Sequence, residues 1–175
     1  MNVEQVEASI VARLQQKINN SGVIIIPLPE VQADYTKPFV NGRITVAYAG
    51  STYMGASGTV TEGHLSSGIV VQDWAMDFEL SFEARKLRGN LGVHDLIHRA
   101  RLALIGWRPG GAGKISAVTD RFGSFEDNLW LHSLTIRTHA RLIEKPDAAE
   151  EPLITRITAS DPGGLGGTVQ VPRTP

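Results

Sequence analysis

The chain has 175 residues, enough for one domain whose core needs no covalent staples, and nothing in it demands a second domain. Acidic and basic residues nearly cancel at a net charge of −1, which argues against a protein held to DNA or RNA mainly by phosphate contacts, and the absence of cysteine excludes disulfides and thiolate metal sites. The N-terminus mixes charged and apolar residues without a continuous apolar stretch, and runs such as Val23–Pro27 are far too short to span a bilayer, so the sequence reads as a soluble protein with no cleaved secretion signal.

Val3, Val6, Ile10, Leu14 and Ile18 recur at steps of three and four, which predicts a first helix over residues 2–19, stopped by Asn19-Asn20-Ser21-Gly22. Val23-Ile24-Ile25-Ile26 is a β-branched run bounded by Pro27 and Pro29, which suits a short buried strand that the prolines keep from extending. Ile44, Val46 and Tyr48 alternate as a strand. Residues 49–68, rich in Gly, Ser and Thr, have no helical period and read as a long loop or mobile hairpin.

The strongest alternation follows. Trp74, Met76, Phe78, Leu80 and Phe82 point one way, while Asp73, Asp77, Glu79, Ser81 and Glu83 point the other, so one face is core and the other is wet or meets a partner. A helix starting near Asn90 places Val93, Leu96, Ile97, Ala100 and Leu104 on one side before Gly106 ends it. Pro109–Gly113 is a turn, and residues 129–143 resume a strand pattern through Trp130, Leu134, Ile136, Ala140 and Leu142, interrupted at His132. Pairing this strand with residues 71–84 gives an α+β fold: a mainly antiparallel sheet with helices packed on one face, a long hairpin or loop, and an extended C-terminal tail. The domain is expected over residues 1–145. Residues 146–175 form a linker and a Gly/Pro-rich segment, within which Leu153–Thr158 has the pattern of one more strand.

Each stretch that invites a chemical reading has a simpler account. His94 and His98 have the i, i+4 spacing of H-E-x-x-H zinc sites, but Asp95 stands where the catalytic Glu belongs and no third ligand is evident. Gly110-Gly111-Ala112-Gly113-Lys114 departs from a phosphate loop at Arg108 and Ile115, which occupy the places of its first Gly and its Ser or Thr. Ser51, Ser57 and Ser66 have no nucleophile elbow. No enzyme and no cofactor are expected. The row Asp73, Asp77, Glu79 and Glu83 would repel itself unless matched, and Arg137 and Arg141, which share a face of the later strand, are the expected partners within the sheet or across a subunit contact.

Several of these features also carry a family resemblance: the helix Val3–Ile18, the proline-bounded run Val23–Pro29, the long strand Trp74–Phe82, the basic turn Arg85-Lys86-Leu87-Arg88, the helix closing on Leu104-Ile105-Gly106-Trp107-Arg108-Pro109, and the segment Leu129–Ile143. Together they resemble the tail-terminator proteins of contractile-tailed, Mu-like bacteriophages. The resemblance implies a virion tail protein, assembled in the host bacterial cytoplasm. It would form a homo-hexameric ring that caps the tail tube, stops tube and sheath polymerisation, and supports joining to the head-completion protein. A ring needs two different surfaces on each subunit. Candidates are Tyr53 and Met54 in the Gly/Ser/Thr segment, Asp73, Asp77, Glu79, Glu83, Arg137 and Arg141 on the strand faces, and the C-terminal tail, expected to be either mobile or ordered by a neighbour; Tyr53 packing on its own domain is the alternative. No membrane and no sequence-specific nucleic acid partner are expected. The rival classes are another neck or baseplate component and a small enzyme with a hidden site.

Overall fold

The computed structural model describes residues 2–31, 38–54 and 70–143. Asn2 starts helix α1 (Val3–Lys17): its side chain accepts the Gln5 amide at 2.9 Å while the Gln5 side chain accepts the Asn2 amide at 3.2 Å, so two of the unpaired amides at the helix start are satisfied reciprocally. The helix ends two residues before the predicted limit because Ile18 leaves helical geometry, although its amide still reaches the Leu14 carbonyl at 2.8 Å. Strand β1 (Val23–Pro27) follows, and it is paired along its whole length, parallel to β2 (Gly42–Met54). β3 (Val70–Ala84), α2 (Val93–Leu104), β4 (Ser116–Glu126) and β5 (Leu129–Ile143) complete a sheet of order β1-β2-β3-β5-β4 among the described residues.

Every pairing after the first is antiparallel, and the central strand β3 lies between β2 and β5. The predicted α+β architecture is therefore present. Both helices lie on one face, where Val6, Ile10 and Leu14 of α1 and Val93, Leu96, Ala100 and Leu104 of α2 close over Ile44, Val46, Met76, Phe78, Leu80, Phe82, Leu134 and Ile136, all at most 1% exposed. Burying each such large apolar side chain contributes about 1.5–3 kcal/mol. The five inward residues of β3 supply the middle of this layer, which is why its alternation is so clear in the sequence.

Beyond the end of α1, β2, α2 and β4 depart from expectation. β2 continues through the predicted loop as far as Met54. It does so by passing a bulge between Tyr48 and Gly50, where Gly50 adopts φ 141°, so glycine here bends a strand instead of ending it. α2 starts at Val93, not Asn90. The chain first makes a tight loop with Gly89 at φ 80° and Leu91 at φ 58°, and a Cβ on the N-cap Gly92 would lie 2.7 Å from the Arg88 carbonyl oxygen. β4 was not anticipated at all. Nearly all its residues are exposed, so it shows no alternation to read; it is held by a two-residue turn in which Asp127 and Asn128 both have positive φ, the geometry that matches hairpin twist. The rest of the predicted long loop, the linker and the candidate strand Leu153–Thr158 lie outside the described residues.

Candidate functional site

The helices leave the opposite sheet face open. On it, the register sets Asp77 opposite Arg137 and Asp73 opposite Arg141. The Arg137 guanidinium forks onto the Asp77 carboxylate, Nε to Oδ1 at 2.6 Å and Nη2 to Oδ2 at 2.7 Å, the strongest geometry available to such a pair. Arg137 holds the Asp77 carboxyl below its usual value by this hydrogen bonding; partial burial opposes the shift, and the charges of Arg137 and His139 add to it. The same contact raises Arg137. Arg141 lies 3.4 Å from Asp73 and is itself largely exposed, so this second pair is looser and more readily exchanged for a partner outside the chain.

The carboxylate row does not behave as one unit. Glu79 is exposed and sits between Ala47 and Thr135, neither of which carries charge. Glu83 departs from the predicted exposed row. It is 6% exposed, opposite Arg43 in β2, with the two charges 3.5 Å apart, and Phe39 lies against the Arg43 guanidinium at 4.9 Å. A short-range sequence pattern gives no hint of this, because Arg43 is forty residues upstream and only the β2–β3 register brings it across.

Tyr53 and Met54 lie at the end of β2, on a strand and not on a loop tip. Tyr53 stacks on Trp74 with ring centroids 5.9 Å apart and planes 8° from parallel, yet remains 57% exposed, so one ring face packs on its own subunit and much of the side chain is still available. Tyr48 meets Phe78 edge to face at 5.7 Å, and its hydroxyl lies 2.5 Å from the Ser51 hydroxyl. Met54 is 41% exposed and aligns across three strands with Asp73 and Arg141. The structure thus gathers Met54, Asp73, Arg141, Asp77, Arg137 and Glu79 on one open face, puts Tyr53 on the other side of the same strand, and withdraws Glu83.

The chemical motifs become structural. His94 and His98 are both exposed on α2, and among the described residues no group of three or more His, Asp or Glu side chains is placed to hold a metal ion. His94 meets His132 at 6.4 Å. Burial, reinforced by His94 and Arg101 and opposed by the Ser133 backbone, keeps His132 below its ordinary pKa. The glycine run packs its turn on β5: the Gly113 amide donates to the His139 carbonyl at 2.7 Å, and a Cβ on Gly113 would lie 3.2 Å from that oxygen. Gly106 and Trp107 form a clasp. The Gly106 amide donates to Ile115 and the Ile115 amide to Trp107, both at 2.8 Å, and Arg13 of α1 lies over the Trp107 ring at 5.5 Å while donating to the Ala103 carbonyl at 3.2 Å. The family-like Gly-Trp-Arg-Pro turn therefore ties α1 to α2.

Sequence reasoning missed one further surface. On the β4–β5 hairpin, Phe122 and Phe125 are half exposed and flank the partly buried Trp130, at 6.2 and 4.4 Å between ring centroids. β4 carries these rings on a strand with no apolar period, so no pattern marks them.

A five-stranded, mostly antiparallel sheet with two helices on one face defines an α+β scaffold. The chain belongs to the Gp37 protein family, whose model matches residues 10–161. Its fold is similar to that of a chain in the virion of the native gene transfer agent (GTA) particle, with a TM-score of 0.51 at 12% identity, over 79% of this chain and 96% of that one. No curated protein matches the chain. No helix among the described residues is long and apolar enough to cross a membrane.

Proposed function

We propose that this protein is a structural subunit of a phage-type virion and that it acts as a tail terminator, a homo-hexameric ring that caps the tail tube, stops tube and sheath growth and joins the head-completion protein. The observation that carries this reading is the fold shared with nearly the whole of a virion chain. Family membership supports it. The ring would form by heterologous contacts, each subunit presenting two unlike surfaces. One is the open sheet face with Met54, Asp73, Asp77, Glu79, Arg137 and Arg141, while Tyr53 lies on the other side of the same strand against Trp74. Its exposed charge and single apolar Met suit a wet rim, in which the loose Asp73–Arg141 pair exchanges partners across the contact. Buried Glu83 supports this face through Arg43 and does not reach a neighbour.

The test is native mass measurement and electron microscopy of the protein alone and mixed with purified tail tubes. A sixfold ring seated on tube ends is expected, weakened by Met54→Glu or Glu79→Lys. Bare tube ends combined with binding to portal or baseplate assigns the protein elsewhere in the particle.

A further inference from the structure

We propose that the tip of the β4–β5 hairpin docks into the cleft between α1 and Trp107 on a second copy of this chain. The inference rests on the ring reading above and adds to it a specific contact between neighbours.

The tip is an aromatic knob flanked by negative charge. Phe125 is 50% exposed and packs at 4.4 Å on Trp130, with Phe122 at 6.2 Å on the same ring. Rings left in water on a strand that buries almost nothing add little to their own core and mark a contact surface. Glu126 and Asp127 follow, both exposed, and neither Lys nor Arg lies between Phe122 and Leu131. Asp127 and Asn128, at φ 51° and 60°, hold the two-residue turn in the geometry that hairpin twist favours, so the knob is ordered before it binds.

The cleft is its complement. Ser9, Ala12, Arg13, Gln16 and Trp107 line an open depression of about 370 Å³, room enough for an aromatic side chain. Arg13 is fixed there by the Trp107 ring and the Ala103 carbonyl. Lys17 lies one helical turn beyond Arg13, and Arg108 follows Trp107; both are exposed. A Phe125 ring set against Ala12 and Trp107 brings Glu126 and Asp127 to this basic rim, which gives the contact an apolar centre and charge-matched edges.

The tip of one subunit cannot reach the cleft of the same subunit. The tip adjoins Leu129, whereas the Trp107 backbone is bonded to Ile115, beside the pair Ser116 with Arg137, and roughly 27 Å of β5 separates Leu129 from Arg137. The occupant is therefore a neighbour. Because tip and cleft are different surfaces, the contact is heterologous and repeats head to tail, as a ring requires.

Charge reversal in the full chain tests the contact. Glu126→Lys with Asp127→Lys is expected to weaken association at least ~10-fold, read by native mass for the protein alone and by rings on tube ends for the mixture. Adding Lys17→Glu and Arg108→Glu to that chain is expected to restore it. All four side chains are exposed, so the fold persists. Association unchanged by the tip reversal overturns the proposal, as does a loss that the cleft reversal leaves unrescued. The chain has no cysteine, so mixing the single variants Asp127→Cys and Gln16→Cys with a short bismaleimide linker is expected to join two copies as a mixed dimer. Rings that form without this link overturn the tip-to-cleft contact alone, whereas the failure of any ring to form, alone or on tubes, overturns the terminator reading with it.

Discussion

Replacing Phe78 by Ala tests the central role of β3 most sharply. Phe78 is fully buried, faces the helices, and carries the edge-on ring of Tyr48 at 5.7 Å. Truncating such a ring costs about 3–5 kcal/mol through lost transfer energy and the cavity left behind, and the aromatic pair is worth about 0.5–1.5 kcal/mol of that range or slightly beyond it. Against a total stability of about 5–15 kcal/mol for a domain, that is between a fifth and nearly all of what holds the fold together. With a urea slope near ~2 kcal/mol per molar, a loss of about 4 kcal/mol moves the midpoint by roughly 2 M. Glu79→Ala, one residue away on the open face, changes stability by no more than about 0.5 kcal/mol. An alanine scan from Trp74 to Phe82 followed by urea denaturation should alternate accordingly, with Ala75 left in place. Equal losses at Phe78 and Glu79 would refute the assignment of faces and with it the open surface on which the interface reading depends.

Three further outcomes follow from the charges. Asp77 is held below the ordinary carboxylate value by Arg137, so its stabilising effect is present above about pH 3.8 and is lost as pH falls through its lower folded value; in Arg137→Gln its NMR titration moves up towards 3.8, and an unmoved titration contradicts the pairing. His132 is favoured neutral by burial and by His94 and Arg101, so stability is complete above about pH 6.5 and declines as pH falls through the lowered folded value; His132→Gln should reduce the slope of melting temperature between pH 7 and 5, and an unchanged slope counts against it. Glu7 is raised by burial, with Glu4 adding to the shift and the Tyr48 backbone opposing it, so its contribution is present below about pH 4.5 and lost as pH rises through the raised folded value. Glu7→Gln is therefore expected to melt higher than wild type at pH 7, with the difference shrinking below pH 4.

What could be read from the chain followed burial on one face. α1, β3 and α2 each bury one side of a regular period, so Val3 to Ile18, Trp74 to Phe82 and Val93 to Leu104 show it directly. β4 buries almost nothing on either side, and a strand exposed on both faces has no period to detect. The end of β2 was hidden for another reason. Gly50 breaks the alternation with a bulge, so Tyr53 looked like loop sequence although it lies opposite Trp74. The pairing of Asp77 with Arg137 and Asp73 with Arg141 was legible because equal spacing on two antiparallel strands matches once the register is fixed. Glu83 belonged to the same row by spacing alone; its partner Arg43, against which Phe39 lies, reaches it only through the fold.

The claim that this protein ends tail growth is tested most directly by the length of the tubes it acts on. Tail tubes polymerised in vitro from purified tube protein should stop elongating when this protein is added, at a length set by the time of addition, with each arrested end carrying a ring. Tubes that keep growing at an unchanged rate, with the protein bound nowhere on their ends, would contradict the terminator role.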